Sequence, residues 1–210
     1  MISKITPVRL SADRLDQAAD LLMKAFMTSV VYTYIFPDPE ERMRSLRRYF
    51  RAYLRFNLFV GEVYTTEDLH EVACWLSPEN LLRSIWGMVR SGFATSRTLK
   101  YYDNETKKRL FSVVRYTEGI KKIVVKQPFW YLALLGVDPL CQRQGIGGQL
   151  LQPVLAKTDW EGLPVYLETD TEDNVRFYER QNFKVVNEGW VPGADFKIWA
   201  MVRKPTLLPG

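Results

Sequence analysis

Two apolar segments in the last third of the chain constrain its fold more than any other feature. The run Tyr131–Val137 contains almost no polar residue, and Leu163–Glu168 is a second run of strand length. Such runs are typical of strands buried on both faces. A glycine-rich turn and a helical pattern over residues 146–157 lie between them, and this order of elements predicts an α/β fold with a mixed sheet. Pro153 should kink or shorten that helix.

The rest of the chain divides into shorter elements without internal repeats. Strand patterns occur at residues 7–10, 59–64, 71–76, 183–191 and 196–202. The second and third of these flank a polar turn and predict a hairpin, and the last two predict a closing hairpin. Helical patterns follow Ser11, cover most of residues 80–126 in two or three pieces, and follow Thr171. We therefore expect a single domain over residues 1–210.

One helical pattern carries a stripe of arginines, and its members are Arg44, Arg47, Arg48, Arg51 and Arg55. Apolar residues recur on the opposite face, so the stripe predicts a solvated face opposite a packed one. The formal net charge of +5 also suits a small anionic ligand. We do not infer nucleic-acid binding from the stripe.

The remaining composition favours an ordinary intracellular protein. No apolar run approaches the length that crosses a bilayer, and residues 1–5 lack the apolar stretch of a secretory signal. We expect a cytoplasmic protein without a membrane or nucleic-acid partner. The only histidine, His70, has no neighbouring ligand pattern, so no metal site is predicted. Cys74 lies in an apolar strand pattern and is interpreted as a core residue.

The segment with the most chemical information is the turn Gln142–Leu150, which joins a buried strand to a helix. Glycines let a ligand approach the backbone closely, and the helix N-terminus favours a pyrophosphate. The turn has no Gly-Lys-Ser/Thr ending, so it is not a P-loop. Gly145, Gly147 and Gly148 are also too close together for a dinucleotide fingerprint. By itself, such a turn is equally compatible with tight packing alone.

Residues on both sides of the turn make the pattern more specific. The run Val137-Asp138-Pro139 followed by Gln142-x-x-Gly145-x-Gly147 resembles the acetyl-coenzyme A motif of GNAT acyltransferases. Residues 165–169 and 174–183 are similar to the next strand and helix of that family. Within it, the chain most resembles the puromycin N-acetyltransferase group, with further agreement at 72–75, 78–79, Pro153 and 199–205. The strongest part of the resemblance covers residues 130–205.

The resemblance implies a fold and a cosubstrate. The fold is a GNAT-type α/β domain with a mixed, mostly antiparallel twisted sheet flanked by helices and a helical insertion around residues 78–128. Acetyl-coenzyme A would lie between the two buried strands, with its pantetheine arm on one strand and its pyrophosphate on the glycine turn. The implied binding residues are Leu135, Gly136, Val137, Gln142, Arg143, Gln144, Gly145, Ile146, Gly147, Gly148, Asn174 and Phe177.

The same resemblance implies direct attack of an amine on the thioester in a ternary complex. Tyr178 occupies the family's position for the acid that protonates the departing thiolate, and a phenol with a pKa of about 10 is matched to that role. Glu168 is the favoured base, with Glu79 as a weaker alternative. Structural roles stay open: Tyr178 packing on the sheet, and Glu168 capping a turn or pairing with an arginine.

The acceptor site is expected in the N-terminal half, where fewer than half of seven aromatic residues should line it: Tyr32, Tyr34, Phe36, Trp75, Trp86, Tyr101 and Tyr102. The favoured acceptor is a small-molecule primary amine. The alternatives are acetylation of a protein or peptide, and a non-catalytic acyl-coenzyme A sensor. Nucleotide binding is not favoured, because the glycine-rich turn lacks the lysine and the metal-binding hydroxyl that this function needs. A homodimer is compatible with all of them.

Overall fold

A computed structural model of the chain describes residues 6–81, 99–142 and 146–206. Its strands are β1 (Val8–Arg9), β2 (Glu62–Thr65), β3 (Glu71–Leu76), β4 (Trp130–Val137), β5 (Val165–Thr169), β6 (Lys184–Trp190) and β7 (Lys197–Arg203). They form one sheet in the order β1-β2-β3-β4-β5-β7-β6. Only β4 and β5 are parallel among these pairs. The predicted mixed, mostly antiparallel sheet is confirmed.

Helices cover both faces of this sheet. They are α1 (Leu15–Phe26), α2 (Val30–Ile35), α3 (Pro39–Val60), α4 (Asn104–Val124), α5 (Ile146–Glu161) and α6 (Glu172–Glu179). Alternate residues of β3 show how the faces divide, because successive side chains of a strand point in opposite directions. Val72 and Cys74 pack in a cluster with α1 and α3, whereas Ala73 and Trp75 pack with α5. Cys74 is fully buried, so its interpretation as a core residue is confirmed.

The arginine stripe lies on α3 and is exposed along its whole length, as predicted. Arg47 and Arg51 form ion pairs with Asp20 and Asp16 of α1, so part of the stripe ties two helices together. Among the described residues, no helix is long and apolar enough to span a membrane.

Two predicted boundaries were wrong. The strand predicted from residue 59 starts at Glu62, because α3 continues to Val60. Phe56 and Val60 lie one helical turn apart and are both buried against Leu76, so packing extends the helix into the apolar run. Helix α5 was predicted to end near Lys157, but it continues to Glu161 with Pro153 inside it, so Pro153 does not shorten it.

The prediction that the first buried strand is covered on both faces was also wrong. In β4, Trp130, Leu132 and Gly136 are buried, whereas the other residues are partly exposed. The reason lies in the pairing with β5, which joins β4 only at Trp130 and Tyr131. Beyond that point the two strands diverge, so the second half of β4 has no strand on that edge.

Other predictions agree with the structure. Thr171 accepts a hydrogen bond from the backbone of Asn174 over 3.2 Å and caps α6, and β6 and β7 form the closing hairpin. Helix α4 lies within the predicted helical insertion, while residues 82–98 of that insertion lie outside the described residues.

A buried ion pair fixes the end of β7 to α5. Arg203 donates two hydrogen bonds of 2.7 Å to Asp159, and their side chains are 6% and 16% exposed. We expect Asp159→Ala to lower the free energy of unfolding by about 3 kcal/mol, because it leaves a buried guanidinium unpaired. Urea unfolding at pH 7 measures this change. Glu105→Ala, which removes an exposed pair with Lys108, should cost less than about 1 kcal/mol.

The same pair predicts how stability depends on pH. Arg203 holds the pKa of Asp159 below its ordinary value of about 3.9. The pair therefore stabilises the fold fully above that ordinary value, and its contribution disappears as the pH falls through the lowered pKa. The difference between the wild type and Asp159→Ala should shrink in acid. A difference that stays constant down to pH 2 would contradict this assignment.

Candidate active site

The divergence of β4 and β5 opens a cavity of about 210 Å³ in the sheet. Both strands line it, and so do residues from the end of α1, from α2, α4, α6 and β7. Helices from both faces of the sheet therefore meet at this single gap. A cavity of this kind is the default place for a small-molecule site in an α/β fold.

The β4 wall of the cavity contains a β-bulge. Cys74 pairs with Leu134 and Trp75 pairs with Leu132, so Ala133 has no partner on β3. The hydroxyl of Tyr53 on α3 donates a hydrogen bond of 3.2 Å to the carbonyl of Ala133. Bulges redirect the backbone groups around them, and this bulge lies where the cavity is formed.

Tyr178 reaches the cavity from α6. Its side chain is 8% exposed, and its ring packs edge-on against Phe177 and Phe183 with centroid distances of 4.9 and 5.7 Å. No hydrogen-bond partner of its hydroxyl is found in the described part of the chain. Burial raises the pKa of Tyr178, and the Asp170 carboxylate raises it further. The phenol is therefore protonated at neutral pH, as an acid requires.

Glu168 lines the same cavity from β5. Its Oε2 accepts a hydrogen bond of 2.7 Å from the Tyr131 hydroxyl, and its Oε1 is buried. Burial raises the pKa of Glu168, whereas the charge of Lys121 and the hydroxyls of Tyr131 and Tyr166 oppose this rise. A carboxyl group with a raised pKa is well matched to general-base work near neutral pH. The structure pairs Glu168 with a tyrosine rather than with an arginine or a turn.

The sequence interpretation missed a second carboxylate in the cavity. Asp170 accepts a hydrogen bond of 2.9 Å from the hydroxyl of Ser29, which precedes α2. Burial raises the pKa of Asp170, and its hydrogen bonds with Ser29, the backbone of Val31 and the side chain of Asn174 oppose that rise. The sequence signal for Asp170 is its position two residues after Glu168, because residues two apart in a strand point to the same face.

The predicted binding residues on β4 have different surroundings. Leu135 lines the cavity. Gly136 faces α1 instead, since a Cβ there would lie 2.4 Å from Cδ2 of Leu22. A side chain at this position would clash with the Leu22 side chain, which gives this glycine a packing role. The carbonyl of Val137 accepts a hydrogen bond of 3.2 Å from Nε2 of Gln142.

The described end of the glycine turn packs against α6. A Cβ on Gly147 would lie 3.5 Å from both the Phe177 ring and the Val137 side chain, and one on Gly148 would lie 3.0 Å from Nε2 of Gln181. The start of α5 therefore lies close to the end of β4 and to α6. Arg143, Gln144 and Gly145 lie outside the described residues, and Ile146 is the first residue of α5.

A buried acid next to this turn was also missed. Glu71, the first residue of β3, has no exposed surface, and its Oε2 would lie 3.8 Å from a Cβ on Gly147. Neither carboxylate oxygen has a partner in the described part of the chain. Burial raises the pKa of Glu71 to about 7. Glu71 does not line the cavity between β4 and β5.

Of the seven aromatic residues considered for an acceptor pocket, only Tyr32 lines the cavity among those described. Phe36, Trp75 and Tyr102 are buried in the core, and Tyr101 is exposed. Tyr34 packs on Phe196, and Trp86 lies outside the described residues. Asn174 lines the cavity beside Tyr178, whereas Glu79 is exposed and does not.

The comparison with known protein families concerns a part of the chain that contributes to this cavity. The sequence model of the acetyltransferase (GNAT) domain matches residues 105–185, from α4 to the start of β6. Over these residues the chain is similar to a GNAT acetyltransferase domain. The predicted enzyme class, an acetyltransferase, is confirmed.

The chain is similar to other acetyltransferases over most of its length. An uncharacterized N-acetyltransferase of Schizosaccharomyces pombe is 29% identical over 206 residues, which are 94% of this chain and 82% of the relative. Histone acetyltransferase HPA2 and related acetyltransferase from Corynebacterium glutamicum has 18% identity and a TM-score of 0.68, covering 99% of both chains. Arylalkylamine N-acetyltransferase 2 from Aedes aegypti has 13% identity and a TM-score of 0.60, covering 97% of this chain and all (100%) of that one. The two solved structures show that the fold is shared.

Proposed function

We propose that this acetyltransferase transfers the acetyl group of acetyl-coenzyme A to the primary amine of a small molecule, by direct attack in a ternary complex. The observation that carries the proposal is the cavity between the diverging strands, which Tyr178 and Glu168 both line. A protonated phenol and a carboxyl group with a raised pKa thus share one small space at the only parallel strand pair of the described sheet.

The surroundings of the cavity fit the cosubstrate. The second half of β4 has an edge without a strand, and an extended chain with amide groups can hydrogen-bond to such an edge as a strand does. We propose that the pantetheine arm lies there, against Leu135 and Val137 and near Asn174. The N-terminus of α5 and the turn from Gln142 to Gly148 would bind the pyrophosphate through backbone N–H groups.

The residues of the cavity account for the proton transfers. Glu168 accepts one proton from the substrate ammonium, which leaves a neutral amine. As the C–N bond forms and the C–S bond breaks, Tyr178 donates its proton to the departing thiolate. The second proton lost by the nitrogen restores Tyr178, and the proton on Glu168 passes to solvent. A backbone N–H at the Ala133 bulge would stabilise the negative charge on the carbonyl oxygen.

A small acceptor is favoured over a protein by the limited space. The cavity has a volume of about 210 Å³. Val113 and Thr117 of α4 line it on one side, and Tyr32 lines it from α2. The presence of an acid and a base also favours catalysis over a sensor that only binds acyl-coenzyme A. We retain the resemblance to the puromycin N-acetyltransferase group as a proposal.

The proposal is tested by thiol release from acetyl-coenzyme A in the presence of a panel of primary amines, with mass spectrometry of the products. We expect amine-dependent release and an acetylated small amine. Peptides with a free N-terminus or a lysine serve as the comparison. Release that is equal with and without amines, or acetylation of peptides alone, would contradict the proposed acceptor.

A further inference from the structure

The ionisable lining of the cavity has one sign of charge. Among the described residues, Glu168 and Asp170 contribute carboxylates to the lining, and no lysine, arginine or histidine contributes to it. Carboxylates taken out of water need a cationic partner, because an uncompensated charge in a small cavity is costly. The cavity therefore favours a cation and disfavours a second anion.

The two carboxylates differ in what already compensates them. The charge of Lys121 acts on Glu168, and Nζ of Lys121 lies 4.5 Å from the ring of Tyr131, whose hydroxyl donates to Glu168. The donors to Asp170 are neutral groups: the Ser29 hydroxyl at 2.9 Å, the Val31 amide and the Asn174 side chain. Within the described residues, Asp170 has no ion pair. Its charge remains available to a ligand.

The position of Asp170 suits an ammonium group that must reach the reacting centre. Asp170 and Tyr178 both line the cavity, and the charge of Asp170 raises the pKa of Tyr178. Phe26 and Tyr32 line it as well, and their rings meet edge-on at a centroid distance of 5.6 Å. Aromatic faces attract an ammonium group and pack well against an apolar body. Glu168, the proposed base, lines the same cavity.

We propose that Asp170 binds the ammonium group of the acceptor, and that the site thereby selects compact primary amines with an apolar body and without a carboxylate. This inference rests on the proposed function and names its substrate class. Amino acids are rejected, because their carboxylate would enter a cavity that already holds two carboxylates and offers no cation. Rejection by an unpaired charge is a strong source of specificity.

The test is a set of three acceptors that differ mainly in charge: phenethylamine, phenylalanine and phenylalanine methyl ester. With the wild-type enzyme we expect kcat/KM for phenethylamine to exceed that for phenylalanine by roughly 100-fold or more. The value of kcat/KM for the methyl ester should lie closer to that for phenethylamine, because the ester has no carboxylate. Asp170→Asn should lower kcat/KM for phenethylamine by roughly 30-fold, mainly by raising KM. In this variant, kcat/KM for phenethylamine and kcat/KM for phenylalanine should differ by no more than about 3-fold.

Three controls separate this role from a general loss of structure. Asp68→Asn makes the same charge change on the exposed turn between β2 and β3 and should leave the ratio unchanged. Glu168→Gln should lower kcat and change the ratio less than Asp170→Asn does, because the charge of Lys121 already compensates Glu168. An unchanged thermal shift of Asp170→Asn with acetyl-coenzyme A shows that the variant is folded.

Each possible outcome decides the inference. Equal acetylation of phenethylamine and phenylalanine by the wild type would overturn it without using a variant, and the proposed acetyl transfer would stand. A folded Asp170→Asn variant that keeps the wild-type ratio would overturn it as well. If no amine of any charge accelerates thiol release, the inference falls together with the small-molecule acceptor.

Discussion

Replacing Tyr178 by phenylalanine is expected to lower kcat by about 10²–10⁴-fold, the usual contribution of a positioned general acid. The substitution removes only the hydroxyl, so the packing of the ring between Phe177 and Phe183 is retained. Binding of acetyl-coenzyme A should stay close to that of the wild type, because the loss concerns the transition state. Steady-state kinetics and a thermal-shift titration of the same protein measure both quantities.

A matched control is Tyr101→Phe, since Tyr101 is 58% exposed and lies away from the cavity. It should leave kcat unchanged. Because burial raises the pKa of Tyr178, the phenol stays protonated throughout the neutral range. At pH values below about 10, ionisation of Tyr178 should therefore not reduce kcat of the wild type. A value of kcat within about threefold of the wild type in Tyr178→Phe would remove this residue from the acid role.

Glu168→Gln should lower kcat by roughly 10²–10³-fold and change the pH dependence of the remaining activity. The base acts in its ionised form, and burial raises its pKa above 4.5. In the wild type, kcat/KM should therefore rise with pH through this raised pKa, and the rise should be absent from the variant. The profile of kcat/KM against pH for one amine provides the measurement.

The stability of Glu168→Gln gives an independent readout. A carboxyl group with a raised pKa in the folded state stabilises the fold most when it is protonated, and this contribution is lost as the pH rises through that pKa. The glutamine variant should therefore have a Tm equal to or above that of the wild type at pH 8, despite its lower activity. Glu67→Gln, on an exposed turn, should change neither Tm nor the dependence of kcat/KM on pH. A variant that retains the wild-type pH profile would exclude Glu168 as the base.

Local sequence signals predicted a large part of the fold. Thr171 caps α6 through a side-chain hydrogen bond, and this signal is contained within a few residues. The hairpin of β6 and β7 and the limits of β3 likewise follow from alternation and turns close in sequence. The boundary between α3 and β2 was predicted less well, because Phe56 and Val60 are held in a helix by contact with Leu76.

The features that make the cavity depend on distant contacts and could not be predicted locally. On β4, only Trp130 and Tyr131 pair with β5, and the two strands diverge beyond them. The local sequence of either strand does not predict where this pairing ends. Tyr178 and Glu168 were named from the family resemblance, and the structure places both in one cavity. Asp170 and Glu71 were not predicted as site residues, because their burial depends on tertiary contacts that the sequence does not show.

The most direct test of the account is a thermal-shift titration of the wild-type protein with acetyl-coenzyme A, with ATP and NAD as controls. At a hundredfold excess over the dissociation constant, binding should stabilise the fold by about 2.7 kcal/mol and raise Tm by about 5–10 °C. We expect this rise with acetyl-coenzyme A alone. No rise at saturating acetyl-coenzyme A, or an equal rise with ATP, would contradict the proposed binding of the cosubstrate between β4 and β5.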